Sequence, residues 1–291
     1  AESGKLHHGW LIEGPSGIGK SRFAQRLAAY MLGARGPDDA PLNVSSDDSV
    51  ARKCLAGGHP DIRLVKRELN ERGKLRQDIS IQQIRDLTHF FSLKPAMGGW
   101  RAGIIDALDE LNRNGANALL KTLEEPPKHS VLFLINHGTI PILPTIRSRC
   151  RVLRLAALNE SDSKAALSEA NAPPESATLS RGRPGLGLKL STPTGLAAAN
   201  AARTLLRSLP KPSDALVTDA LQAASADDTA MEAFQEEIFA WLAERAEVEP
   251  FAAKAWLDLS RLAGEARGLN MDAAQTASKL IAGLYGATQT H

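Results

Sequence analysis

A chain of 291 residues, 43% of them apolar, has room for two or three domains and can bury a sizeable core. Its net charge of +2 hides an asymmetry: residues 1–209 hold 29 Lys and Arg against 20 Asp and Glu, whereas residues 210–291 hold 6 against 13. The first part is suited to polyphosphate or nucleic acid, although an unevenly solvated surface gives the same balance. Two cysteines, Cys54 and Cys150, with no long apolar run or secretory leader, fit a reducing cytoplasm and no membrane partner.

The chain begins at Ala1 without a methionine and runs almost at once into its first strand, the pattern of a sequence lacking an N-terminal piece. Trp10, Leu11 and Ile12 predict a short buried strand. It leads into Gly14-Pro15-Ser16-Gly17-Ile18-Gly19-Lys20-Ser21, a complete match to the phosphate-binding pattern G-x-x-x-x-G-K-[ST]. Small residues let such a loop curl until its backbone N–H groups point at phosphates; Lys20 reaches the outer phosphates and the Ser21 hydroxyl ligates Mg²⁺. Residues 22–32, with Phe23, Leu27, Tyr30 and Met31 at helical spacing, supply the helix N-terminus that an anion needs. The plain alternative is a glycine turn in an ordinary βα unit.

Residues 33–48, rich in Pro, Gly, Asp and Ser, read as a surface loop, residues 61–65 as a second strand and residues 66–78 as a turn or hairpin. Ser80 is a good N-cap for a helix bearing Ile81, Ile84, Leu87 and Phe91 that should stop near Pro95. Residues 101–106 are an apolar run ending in Asp106, a carboxylate placed to hold the coordination shell of Mg²⁺ beside the loop. A helix over residues 112–124 precedes the continuous apolar run 131–135, a strand covered on both faces. That strand ends at Asn136-His137, where a polar side chain meets a γ-phosphate or its attacking water, or is simply a satisfied strand-end amide. A connector and short helix over 140–147 and a last strand over 151–155 complete five strands alternating with helices, a three-layer α/β domain. Beyond Asn159 strand signals vanish. Residues 180–185 are a turn, Leu209-Pro210-Lys211-Pro212 is a boundary, and Phe234, Ile238, Trp241, Trp256, Leu259, Leu280 and Leu284 mark an amphipathic helical bundle.

Asn117-Ala118-Leu119-Leu120-Lys121-Thr122-Leu123-Glu124-Glu125-Pro126-Pro127 together with Leu143-Pro144-Thr145-Ile146-Arg147-Ser148-Arg149-Cys150 resembles the clamp loader subunits of bacterial DNA polymerase III, in the AAA+ superfamily. His59-Pro60-Asp61 and Ile84-Arg85 are further matches. The resemblance implies a five-stranded parallel P-loop domain over residues 1–157 with helices on both faces, a helical lid over 158–209 and a helical collar over 210–291. It also implies ATP or ADP with Mg²⁺ as ligand and a hetero-pentameric ring of clamp loader subunits. Such a ring places a sliding clamp on primer-template DNA, to which this chain's contacts would be phosphate contacts. In such rings the Ser-Arg-Cys motif presents an arginine finger to the neighbour's ATP, and Arg149 matches that position. Bonding the carbonyls of a short helix is the other reading of Arg149.

Departures from the motor subunits accompany these matches. Asp106 is followed by Ala107, where a motor subunit has a catalytic glutamate; Asp109 and Glu110 reach that place only by a different backbone path. Gly185 stands where the lid of a motor subunit has an arginine, and Pro184 constrains the direction of Arg183. Of the four zinc-holding cysteines of many relatives only Cys54 remains, with His59 nearby, which predicts no zinc. These features predict a ring member with negligible turnover of its own. A working ATPase and a nucleic-acid-binding adaptor are the competing readings.

Overall fold

The computed structural model describes residues 6–45, 47–71, 73, 76, 78–97, 99–137, 142–269 and 271–289. The first five residues, part of the turn over 66–78 and the start of the connector at 140 lie outside them. The chain divides into two compact units at Asn159 and Glu160.

Unit one is built on five strands: β1 (Gly9–Glu13), β2 (Ile62–Val65), β3 (Arg101–Ile105), β4 (Ser130–Asn136) and β5 (Arg151–Arg154). They lie in the order β2-β3-β4-β1-β5, and every pairing is parallel. Every residue of β3 and β4 is buried, which is why their sequences read as continuous apolar runs instead of alternating ones. Alternation along β1 sends Leu11 to the face covered by α3 (Ile81–Ser92) and α4 (Arg113–Glu124), and Ile12 to the face covered by α1 (Lys20–Met31) and α2 (Ser49–Leu55). Each fully buried Leu, Ile or Phe there contributes about 2 kcal/mol of transfer free energy before entropy is counted.

Helix starts follow local chemistry. Ser80 closes a capping box with Gln83, Asn112 accepts from Gly115 N, and Asp48 accepts from Val50 N and Ala51 N. The last of these starts α2, just beyond the stretch read as loop. The remaining helix of this unit, α5 (Pro144–Arg147), is a single turn begun by proline.

Unit two is helical throughout: α6 (Glu160–Glu169), α7 (Glu175–Ser180), α8 (Pro184–Leu190), α9 (Pro193–Arg207), α10 (Asp214–Ala224), α11 (Asp228–Arg245), α12 (Pro250–Gly268) and α13 (Ala273–Gln289). One core joins Ala198, Leu205, Phe234, Ile238, Leu259, Leu280 and Leu284. A seam of ion pairs ties α7–α9 to α11. Glu237, 4% exposed, accepts from both Arg181 and Arg203 at 2.7 Å, and Arg183 pairs with Glu236 at 2.7 Å. Among the described residues no helix is long and apolar enough to cross a membrane.

The His59-Pro60-Asp61 motif has a structural task. Asp61 is fully buried; its carboxylate accepts from Ala96 N at 2.7 Å and Met97 N at 2.9 Å, while Arg101 Nε lies 3.4 Å away. The same guanidinium donates to the Phe90 and Lys94 carbonyls. Together they close the C-terminal end of α3 and return the chain to β3. Asp61→Ala strands two amides and a buried arginine, so it should lower unfolding free energy by about 3 kcal/mol. Urea denaturation measures this, and a loss under about 1 kcal/mol would show the carboxylate dispensable.

Candidate functional site

The candidate site forms where β1, β3 and β4 end. From Glu13 the chain turns into the loop through Gly14, at φ 149°, and reaches α1 through Gly17 and Gly19 at φ 84° and 92°. Two of these glycines are required for different reasons. A Cβ on Gly14 would lie 2.3 Å from the Leu155 carbonyl oxygen, whereas one on Gly19 would meet nothing and is excluded only by its left-handed backbone. Pro15, Ser16 and Ile18 fill the arc between them, and the Ile18 side chain packs over Gly14.

Lys20 is 2% exposed, and its ammonium donates to the carbonyls of Gly14 at 2.6 Å and Pro15 at 2.7 Å. Burial pushes its pKa down to about 8, against the opposing charges of Asp109 and Asp106. Ser21, at the start of α1, accepts from Gln25 Nε2 at 3.1 Å and lies near Asp106. Burial works to raise the Asp106 carboxyl, but the His137 and Ser21 side chains beside it and the Lys20 charge hold it below the ordinary range. His137 Nε2 stands 3.7 Å from Asp106 Oδ1.

Asn136 ends β4 beside Glu13 and is 8% exposed. It is thus at the strand end that the sequence predicts, while His137, one residue on, is the side chain that touches Asp106. The buried Nδ1 of His137 has no hydrogen-bond partner among the described residues. The sequence also left Glu13 unremarked. Arg147 grips its carboxylate with both terminal nitrogens, at 2.5 and 3.2 Å, and Arg154 Nε lies 3.4 Å away. The hydrogen bond from Arg147 is the main cause holding the Glu13 carboxyl low, with burial opposing it. This clasp fixes the residue from which the phosphate loop departs. A glutamate after an apolar strand carries no signal for it.

The residues present fit a Mg²⁺–nucleotide polyphosphate. The glycine conformations, the buried lysine, and Ser21, Asp106 and His137 at the strand ends are groups an anion and its cation would satisfy. Among the described residues no three His, Cys, Asp or Glu side chains are grouped to hold a metal. Cys54 and His59, the two candidate zinc donors, are both buried. Burial pushes the Cys54 thiol up to about 11, and His59 Nδ1 accepts from Asp61 N at 3.1 Å.

Arg149 lies far from this loop. Its Nη2 pairs with Glu124 Oε1 at 2.8 Å and its Nη1 donates to the Thr145 carbonyl at 2.9 Å. A Cβ on Gly9 would sit 3.4 Å from the Arg149 carbonyl oxygen. Gly9 begins β1 and the loop follows its end at Glu13, a rise of roughly 13 Å at strand spacing. Arg183 is engaged by Glu236, and Gly185 lies in the first turn of α8.

The lowered Lys20 pKa predicts a pH dependence. The folded chain releases this proton near 8 and the unfolded chain keeps it to the usual lysine value of 10.5. Unfolded protein therefore binds more protons between these values, and stability contributed at this site rises with pH across that window. Urea unfolding at pH 7.5 and 9.5 should give a more positive slope of stability with pH in the native chain than in Lys20→Met, because the buried Cys54 and Cys150 thiols, both pushed up to about 11, lower stability over the same window in either protein. An equal slope in both would remove Lys20 as its source.

Comparison with known proteins agrees with the motifs. A family model described as DNA polymerase III, delta subunit, matches residues 1–159. The DNA polymerase III subunit delta' of Pseudomonas aeruginosa is 37% identical over 143 residues, covering 49% of this chain and 41% of that protein. The DNA polymerase III subunit tau of Escherichia coli is 33% identical over 156 residues, covering 54% of this chain and 23% of that one. These matches thus span less than half the length of either relative. A crystal structure of a DNA polymerase III gamma subunit-related protein from Thermotoga maritima shares the fold, with TM-score 0.52 and 17% identity over 97% of this chain and 95% of that one. On the match to residues 1–159, the chain belongs to the DNA polymerase III delta subunit family.

Proposed function

We propose that this chain is a delta-prime type subunit of a bacterial clamp loader, active in the cytoplasm, that binds nucleotide with Mg²⁺ and supplies Arg149 to the ATP of a neighbouring subunit. On this reading residues 158–209 serve as the lid and 210–291 as the collar of a hetero-pentameric ring, which loads a sliding clamp on primer-template DNA. Zinc has no part in it, since Cys54 and His59 have no further donors in the sequence loop where relatives place four cysteines.

The observation that carries the reading is the separation along β1: the nucleotide loop leaves its end at Glu13, whereas Arg149 packs beside its start at Gly9. An arginine there is remote from its own phosphates. Its pair with Glu124, 49% exposed, is a surface ion pair worth at most about 1 kcal/mol, so the guanidinium is readily traded for phosphate oxygens. Two further observations favour a non-motor role. Ala107 holds the place of the catalytic glutamate, and the lid arginine nearest the expected position, Arg183, is spent on Glu236.

The purified chain should bind Mg²⁺–ATP, lose that binding in Lys20→Ala, and show negligible turnover. Robust hydrolysis abolished by Lys20→Ala would instead favour the motor-type reading that the complete Gly14–Ser21 loop also suits.

Arg149→Ala should leave folding and nucleotide affinity of the isolated chain unchanged. In the reconstituted ring it should reduce clamp- and DNA-stimulated hydrolysis by on the order of 10³ where this site limits turnover. A ring that hydrolyses ATP and loads clamps normally with the variant returns Arg149 to its helix-end role.

A further inference from the structure

Asp109 lies four residues beyond the end of β3, and the backbone between them takes an unusual course. Ala107 adopts φ 73° and ψ 71°, a left-handed conformation that costs a residue with a Cβ about 1 kcal/mol or more. Leu108–Glu110 then closes a 3-10 turn, with Glu110 N donating to the Ala107 carbonyl at 2.9 Å and Leu111 N to that of Leu108 at 3.1 Å. Ile79 N, donating to the Glu110 carbonyl at 3.0 Å, pins its far side.

This turn brings Asp109 back over the strand ends. Its Oδ1 accepts from His137 N, at the end of β4, at 3.4 Å. Its charge also acts on Lys20, ahead of that of Asp106. The adjacent acid is employed differently, for Glu110 pairs with Arg67 Nε at 2.8 Å. One acid of this pair therefore faces the phosphate loop and the other is held by a basic side chain of the strand-following segment. The absence, among the described residues, of a three-donor metal set leaves the second carboxylate to act through water, as Mg²⁺ commonly requires.

We infer that Asp109 is a second carboxylate of the phosphate pocket, accepting hydrogen bonds from the water shell of the Mg²⁺ that accompanies a nucleoside triphosphate, beside Ser21 and Asp106. The inference rests on the nucleotide-binding reading above and concerns affinity; no bond is made or broken. It identifies a residue that acts on the cation and leaves the phosphates to Lys20 and the loop.

The test is a titration of the full chain with a fluorescent ATP analogue, in excess Mg²⁺ and in EDTA. Asp109→Asn should weaken the Mg²⁺-dependent affinity about tenfold, as loss of an outer-shell partner does, and should not weaken binding in EDTA. Glu110→Gln should match the native chain in both conditions, and Asp109→Glu should recover part of the loss. Asp109→Ser is read in the same way if Asp109→Asn does not fold. Native affinity in the folded Asp109 variants, with Lys20→Met unable to bind, overturns the inference alone. Binding that survives Lys20→Met, or no binding by the native chain, overturns the pocket and the inference together.

Discussion

Where β1 ends, the backbone has almost no room: the Leu155 carbonyl stands 2.3 Å from the place a Cβ on Gly14 would take. Only glycine passes, and its extended-to-left-handed φ of 149° turns the chain out of the sheet. Everything at the candidate site is downstream of this contact. Leu155 N in turn donates to the Glu13 carbonyl at 2.8 Å, so the end of β5 fixes the exit of β1 from both sides. From there the loop delivers Lys20 and Ser21 to the first turn of α1, opposite Asp106 at the end of β3. The five parallel strands bring those ends together, and the apolar burial of β3 and β4 holds them rigid.

Charge is spent in two ways in this unit. Asp61 with Arg101, and Glu13 with Arg147, are paired; removing either member of the buried Asp61–Arg101 pair would leave the other uncompensated. Lys20 is buried as deeply but pairs only with neutral carbonyls, with two carboxylates near. A cation so placed is poorly compensated in the protein alone, and a phosphate would compensate it better. That difference separates the site from the scaffold more clearly than burial does. In unit two Glu237 plays the scaffold part, with two arginines on one buried carboxylate.

The fold was legible wherever one local signal was strong. Continuous apolar runs marked β3 and β4, Ser80 and Asn112 marked helix starts, and G-x-x-x-x-G-K-S marked the loop. Helix α2 was missed because its cap, Asp48, closes a Ser- and Asp-rich stretch that reads as loop, and its seven residues are too few to show a period. The candidate site was half legible. Lys20, Ser21 and Asp106 sit together as their motifs imply, but the position of Asp109 depends on a left-handed alanine, which no propensity predicts.

Arg147 and Arg149 show why a motif alone does not assign a role. They are two residues apart in one Arg-Ser-Arg run, chemically identical and both partly exposed. Arg147 makes a two-pronged bond to Glu13, itself only 16% exposed and also near Arg154. Such a fork is geometrically demanding and is lost only at the cost of the loop's point of departure. Arg149 instead has one nitrogen on a helix carbonyl and another on a carboxylate that is half in water. Its bonds are replaceable, because water and neighbouring groups can take over each one at little cost. A residue that must leave its own fold to meet a partner's phosphate needs that second kind of attachment. Of the two arginines, Arg149 is the one attached in that way.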